Sequence, residues 1–295
     1  MKLGLGTVQF GLDYGITNPA GRTPATEVRA ILGDAADHGV TTLDTAALYG
    51  DAEAVLGATL PRPHAFRIIS KTLALDPALP PNDAVAALTA GVRRSLERLC
   101  ETRLSGLLVH RVDDLLGPGG ERLFTALEGL RQDGAVDKIG ASVYTPGEVA
   151  QLLERYPVDL VQLPLNPLDQ RHLAGGSLAA LAERGVEIHV RSAFLQGLLL
   201  HPGAVLSAGL AGLKAPLAAW HEACGIRQLS PLAACFAFLK GCAGVGVAVC
   251  GATCLGQWQE IVAAYRSAPA LPAETFKNLA VADDKLIDPR YWPKS

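Results

Sequence analysis

Leu43-Asp44-Thr45-Ala46-Ala47-Leu48-Tyr49-Gly50 closes an apolar run that starts at Val40. The run ends on an acid, and a phenol follows five residues later. Apolar runs of this length read as buried strands, and the polar residues beyond them as the start of a loop. Two further runs end in Ser70-Lys71-Thr72 and in Val109-His110-Arg111. The number of such runs decides the fold. They fall at residues 3–7, 40–45, 66–71, 104–110, 136–142, 158–163, 186–192 and 245–250.

Helical patterns lie between them. Thr26 is expected to cap the first, with Val28, Ile31, Leu32 and Ala35 on one face. A second covers 52–60, and Asn82 is expected to cap a long third carrying Val85, Leu88, Val92, Leu96 and Leu99. Others span 121–133, Thr145-Pro146 through Leu153, 172–183 and 257–265. Gly39, Gly134 and Gly185 stand where helices stop. Residues 8–22 read as a glycine-rich loop, and 193–203 as irregular chain before helical patterns at 213–223 and 231–239. A tail, 269–295, holds one helix near 274–282.

Eight apolar strands alternating with helices describe an α/β protein whose parallel sheet is covered on both faces. The expectation is one (β/α)8 TIM barrel domain over residues 1–295, with a helical insertion after strand seven and a C-terminal tail. A doubly wound open sheet would need a glycine-rich turn opening a helix after strand one. Gly4 and Gly6 lie inside the strand instead, and no third glycine opens a helix.

Composition excludes several classes. With 49% hydrophobic and 19% charged residues the chain can bury a large core. A net charge of −3 with scattered basic residues offers nothing to nucleic acid. No apolar stretch approaches the ~18 residues of a membrane span. The first residues are too glycine-rich for a signal peptide, so a cytoplasmic location is expected. The cysteines, at 100, 224, 235, 242, 250 and 254, form no CxxC pair and have no histidine cluster beside them. They read as reduced thiols, and no metal site is expected.

In a barrel, the C-terminal strand ends converge on one mouth. Asp44, Lys71 and His110 end strands two, three and four, and Tyr49 stands just beyond strand two. Each alone has an ordinary role as turn former, solvated cation, rim aromatic or satisfied polar group. Together they make a circuit. A buried Lys71 needs a counter-charge, which Asp44 supplies. A cation near Tyr49 is expected to lower the phenol pKa from about 10. His110 can donate a hydrogen bond to a substrate oxygen. The product is a tunable general acid beside a polarised carbonyl.

Four pieces carry a resemblance to the aldo-keto reductases: Leu3-Gly4-Leu5-Gly6-Thr7, Asp44-Thr45-Ala46-Ala47-Leu48-Tyr49-Gly50, Ser70-Lys71-Thr72 and Leu107-Leu108-Val109-His110. The resemblance implies Tyr49 as general acid, Lys71 and Asp44 as its tuning pair, and His110 as the substrate-orienting donor. It implies NADP(H) or NAD(H) as cofactor, with contacts from Gly6, Thr7 and Asp44. Gly140-Ala141-Ser142-Val143-Tyr144 is similar to the family's Gly-Val-Ser-Asn-Phe, which puts Ser142 on the carboxamide; Val143 stands where the family has Asn. Gln162 matches a carboxamide-binding glutamine, and Asn166 the asparagine of Tyr-Asn-Pro.

Ser192-Ala193-Phe194-Leu195-Gln196-Gly197-Leu198-Leu199 resembles the loop that wraps the pyrophosphate, which implicates Ser192, Phe194, Gln196 and Gly197. Gly251-Ala252-Thr253-Cys254-Leu255-Gly256-Gln257 resembles the loop before the last helix, a standard phosphate position in barrels, which implicates Gly251, Ala252, Thr253 and Gln257. Three departures stand out. No Lys or Arg lies near Gly251 or Gln257 to take a 2′-phosphate, Glu260-Ile261 replaces a Glu-Asn pair, and strand one starts too early for the family's N-terminal hairpin. NAD or dual use therefore stays open.

The reading implied is a carbonyl reductase for an aldehyde, ketone or sugar, acting as a monomer or small homo-oligomer. Phe10, Tyr14 and Trp220 are candidates for the substrate pocket, with packing as their other role. Two alternatives remain: a lyase or isomerase forming a Schiff base on Lys71, and a non-catalytic barrel that binds nucleotide as a regulator.

Overall fold

A computed structural model describes residues 1–203 and 205–292. The last three residues of the tail, 293–295, lie outside the described residues. Eight strands form: β1 (Lys2–Gly6), β2 (Thr42–Asp44), β3 (Arg67–Lys71), β4 (Gly106–Val109), β5 (Ile139–Ser142), β6 (Leu160–Pro164), β7 (Glu187–Arg191) and β8 (Val245–Gly251). Each pairs in parallel with the next in sequence, and β8 pairs with β1, so the sheet closes into the expected barrel. The residues of β2, β4, β5 and β6 are buried throughout. Strands buried on both faces are unbroken apolar runs, which is why they stood out in the sequence. The insertion between β7 and β8 contains the helix Lys214–Ile226 ahead of the covering helix Pro231–Gly241.

Several helix boundaries differ from expectation, mostly because of proline. The first long helix is Ala25–Asp37, capped by Pro24 rather than Thr26, and the helix Pro81–Leu99 is capped by Pro80 rather than Asn82. Proline lacks an N–H and its ring fixes φ, so the start of a helix costs it nothing. Thr145 does form a capping box with Glu148, accepting from its N–H at 3.2 Å. The single helix expected over 172–183 is two, Arg171–Ala174 and Ser177–Glu183. The break falls at Gly175-Gly176, where Gly176 takes φ +70. The loop after β1 contains one helical turn, Val8–Gly11, and Asp113–Leu116 adds another. The tail helix is a 3-10 segment, Ala273–Leu279.

The core has two bodies. The larger fills the space between barrel and helices; the smaller, Ile69, Leu108 and Leu160, fills the barrel itself. Below it lies an ion cluster. Glu187 accepts from Arg67 at 3.3 Å, from Lys138 at 2.5 Å and from His189 Nε2 at 2.8 Å. These residues come from β3, the approach to β5, and β7, strands that are not neighbours. They can meet only inside the barrel, at its N-terminal mouth.

The His189 hydrogen bond and then the Lys138 bond hold the Glu187 carboxyl well below the usual carboxylate range, against the opposing effect of burial. A carboxyl depressed in the folded state binds fewer protons there than in the unfolded chain. Its stabilisation is therefore complete above the unfolded pKa and is lost as pH falls below it. Glu187→Gln is expected to cost about 1–3 kcal/mol at pH 7. The gap between wild type and variant should close as pH drops below about 4.3, measured by urea denaturation across pH.

Candidate active site

The two strand-end charges meet in the barrel. Side chains two apart on a strand share a face. Asp44 sits beside Ile69, so Lys71 lies one step above it on the same inner face. Lys71 Nζ donates to Asp44 Oδ1 at 2.6 Å and to the Thr45 carbonyl at 2.9 Å. Both side chains are almost sealed from solvent, at 1% and 4% exposure. The other Asp44 oxygen accepts from Gln162 Nε2 at 2.7 Å, across the barrel from β6. Thr7 N and Oγ1 both donate to the Asp44 carbonyl, at 2.9 and 3.0 Å. Gln162 Oε1 and His110 Nδ1 are buried with no hydrogen-bond partner among the described residues.

Tyr49 is placed by a tight turn and by a glycine behind it. Its N–H donates to Ala46 O at 3.0 Å, and its own carbonyl accepts from Ala52 N at 3.0 Å. A Cβ at Gly11 would fall 1.9 Å from that carbonyl, so any side chain there would displace the turn. Lys71 Nζ lies 4.9 Å from the centre of the Tyr49 ring, and the His110 ring meets it edge-on at 5.8 Å. The His110 backbone is anchored by its N–H donating to Thr72 Oγ1 at 3.2 Å.

Electrostatics corrects one expectation. Lys71 does not lower the phenol. Burial, then the Asp44 charge, push the Tyr49 pKa well up, with the Arg191 charge opposing. Burial lowers Lys71, and Asp44 pulls it back. Burial and the Lys71 charge bring His110 down to about 4. At neutral pH the site thus presents a protonated phenol and a neutral imidazole, both able to donate.

All four groups line one cleft of about 940 Å³. Gly6, Thr7, Ser142, Gln162 and Ser192 line it at the catalytic end. Phe194, Gln196, Gly197, Gly251 and Ala252 continue the wall, and Thr253 and Gln257 stand at the outer end. Of Phe10, Tyr14 and Trp220, the aromatics expected in the substrate pocket, Tyr14 alone lines the cleft. Phe10 and Trp220 are fully buried core residues, and the Trp220 indole donates to Leu199 O at 2.9 Å. Asn166 is not in the wall; its amide donates to Ser192 O at 3.0 Å and its oxygen accepts from Leu168 N and Asp169 N.

The loop after β7 is held in an unusual conformation. Ser192, Leu195 and Gln196 have φ of +57, +48 and +53, and Gly197 has +91. Left-handed backbone at non-glycine residues persists only where the surroundings enforce it. Here Asn166 grips one end, and the loop after β1 grips the other. Thr17 Oγ1 donates to Gln196 O at 2.8 Å, and Ile16 N to Gln196 Oε1 at 3.2 Å. A strap thus crosses the cleft from the first loop to the seventh.

Sequence reasoning missed Arg191. It is the last residue of β7, two steps beyond buried His189 on the inner face, and it lines the cleft. Its guanidinium stacks 4.0 Å from the Tyr144 ring centre and donates to Val143 O at 3.1 Å. Among the described residues it has no carboxylate partner. The available signal was the one used for Lys71, a charge at a strand end, but attention fell on Ser192 one residue later.

The family model described as Aldo/keto reductase family matches residues 2–284. Oxidoreductase YdhF of Escherichia coli K12 is 32% identical over 161 residues, 50% of this chain and 53% of that protein. The 6-dehydroglucose reductase of Novosphingobium aromaticivorans is 32% identical over 143 residues, 45% of this chain and 46% of that protein. The chain thus spans about half the length of these curated relatives. The holo form of the aldo-keto reductase AKR11C1 from Bacillus halodurans superposes with a TM-score of 0.77 at 23% identity, covering 96% of this chain and 93% of that one. At that identity it shows the same fold.

Removing the cation from the Lys71–Asp44 pair leaves a carboxylate sealed in the barrel. Lys71→Met is expected to destabilise the fold by about 3–5 kcal/mol, and Asp44→Asn in the same chain to restore part of that loss. Chemical denaturation of both variants checks this, and a single variant as stable as the parent would contradict it.

Proposed function

The chain belongs to the aldo/keto reductase family, and we propose on that premise that it is an NAD(P)H-dependent carbonyl reductase, or the alcohol dehydrogenase running the same reaction in reverse. The observation that carries the reading is the grouping of Asp44, Tyr49, Lys71 and His110 on one cleft wall. A nicotinamide dinucleotide fits what this wall offers. Gln162 Oε1 is a buried acceptor with no partner among the described residues, suited to a carboxamide N–H. The strapped loop at 192–197 gives a fixed backbone surface for phosphates. When bound, the cofactor supplies or takes the hydride.

The remaining chemistry is the protein's own. His110 stays neutral and donates to the substrate carbonyl oxygen, fixing the carbonyl against the Tyr49 hydroxyl. Tyr49 gives its proton to that oxygen as negative charge develops there. Lys71 lies over the ring that becomes phenolate, and its contact with the Thr45 carbonyl and Asp44 keeps it there. Gln162 holds the second Asp44 oxygen, so the acid cannot turn toward the phenol. Exposed Leu12, Ile16 and Leu48 lie beside these loops and give the approach an apolar character. That suits a small aldehyde or ketone entering with its carbonyl first.

A Schiff-base role for Lys71 is less well supported. Its nitrogen is sealed at 1% exposure and committed to two acceptors. Absence of a substrate adduct after borohydride treatment is the expected result.

Tyr49→Phe is expected to lower turnover about 10²–10⁴-fold. Dinucleotide affinity, read by cofactor fluorescence, should stay close to that of the parent. Turnover retained in the variant would remove Tyr49 from its role; loss of binding along with turnover would point to a misplaced loop.

A further inference from the structure

The catalytic end of the cleft holds one positive charge that its wall does not answer. Lys71 and Asp44 neutralise one another at 2.6 Å. Tyr49 keeps its proton, and His110 is neutral near pH 7. Arg191 is left over. It ends β7, is half-buried and lines the cleft. Arg171 and Arg290 nearby are each paired, with Asp169 and Asp288. Among the described residues the Arg191 guanidinium makes one hydrogen bond, from Nη2 to Val143 O at 3.1 Å, and no ion pair. Glu260, the other acid in the wall, belongs to the helix Leu255–Ser267, beyond β8.

That guanidinium is held ready. It lies 4.0 Å from the centre of the Tyr144 ring, and Tyr144 is itself pinned. The Tyr144 N–H donates to Glu148 Oε2 at 2.5 Å, its carbonyl meets His172 Nε2 at 3.1 Å, and Arg290 stacks on its ring at 3.5 Å. A guanidinium fixed in its plane loses less freedom when a ligand arrives. Its direction is also informative. Val143 follows β5 and Arg191 ends β7, with β6 between them. The side chain therefore reaches back across β6, away from β8 and the loop at 251–257. Its charge bears on Tyr49 and His110 instead. A half-buried cation without a counter-ion is a cost that an anionic ligand removes. The planar fork matches a carboxylate through two parallel N–H···O bonds. One positive charge balances one carboxylate; a phosphate monoester, at about −1.5 to −2 near neutral pH, would be left partly unanswered.

We propose that the substrate is an oxo acid, and that Arg191 binds its carboxylate while Tyr49 and His110 take the carbonyl oxygen. The proposal rests on the carbonyl-reductase reading above and narrows its substrate class. The carboxylate takes no part in bond making. The carbonyl carbon gains a hydride and the oxygen gains the Tyr49 proton, which leaves a hydroxy acid. Arg191 is then a specificity determinant that acts through the charge it demands of the substrate.

Reduction of oxo acids of increasing length, each set against its own methyl ester, tests this. For the acid whose length fits, kcat/KM should exceed that of its ester about 10–100-fold, the worth of a charged hydrogen-bonded pair. Added salt should shrink the ratio. In Arg191→Met the ratio should vanish, and in Arg191→Lys, which keeps the charge and gives up the fork, it should fall between the two. Both members of a pair use the same proton donor, so the ratio cancels any effect of the lost charge on Tyr49. Esters reduced as well as acids by the parent, at every length, overturn the proposal, and so does a preference that survives Arg191→Met. A preference for phosphorylated carbonyls over oxo acids overturns the assignment to a carboxylate. Calorimetric titration with the same acids and esters reads binding without turnover: the parent should bind the acids more tightly, and Arg191→Met should lose that advantage. Acid binding that depends on Arg191, with no turnover of acid or ester by either cofactor, supports the carboxylate site and overturns the reductase reading beneath it.

Discussion

A lysine and an aspartate sealed inside a barrel set the terms for everything above them. Lys71 and Asp44 sit 2.6 Å apart at almost no exposure. Burying two charges is costly, and the pair repays that only if every remaining valence is met. The structure meets them from several directions: Thr45 supplies a carbonyl to the ammonium, and Gln162 reaches across from β6 to the second carboxylate oxygen. Thr7 fixes the Asp44 backbone from the loop after β1. The pair therefore ties β1, β2, β3 and β6 to one point, and the catalytic end inherits its geometry from that point.

The phenol depends on the same constraint from the other side. Tyr49 is carried by a short turn leaving β2, and Gly11 lets the first loop pass against that turn without a side chain between them. The first loop then continues across the cleft to Gln196. One segment thus backs the Tyr49 turn and straps the strained loop after β7. Both places are therefore contacted by a single stretch of covalent chain, residues 11–17.

What was legible in the sequence follows from how each feature is encoded. The barrel was legible because strands buried on both faces appear as uninterrupted apolar runs, and eight of them can be counted. The candidate site was legible because charges at the ends of such runs are conspicuous and a barrel sends them to one mouth. The helix caps at Pro24 and Pro80 were each misplaced by two residues, because the threonine or asparagine nearby is the better cap by residue type. The direction of the Tyr49 shift was misread because a cation's presence is visible in sequence while the extent of burial is not. Glu27 on the Leu255 amide was out of reach, since 228 residues separate the partners and nothing local marks either one.

Strand β7 shows how polar groups can be threaded through a barrel. Its inner face carries Glu187, His189 and Arg191 from base to mouth, beside an apolar layer of Ile69, Leu108 and Leu160. Glu187 pairs with His189 through Nε2, with Arg67 and Lys138 completing the base. Arg191 is treated differently: a ring face and one carbonyl hold its plane, leaving most of its five donors toward the cleft. Arg290 also stacks on the Tyr144 ring, 3.5 Å from its centre, while anchored to Asp288. The tail therefore helps fix Tyr144, Tyr144 helps fix Arg191, and Arg191 supplies the permanent positive charge that opposes the rise of the Tyr49 pKa. The lowering charge that the sequence placed at Lys71 comes, in the folded chain, from Arg191 at the end of β7.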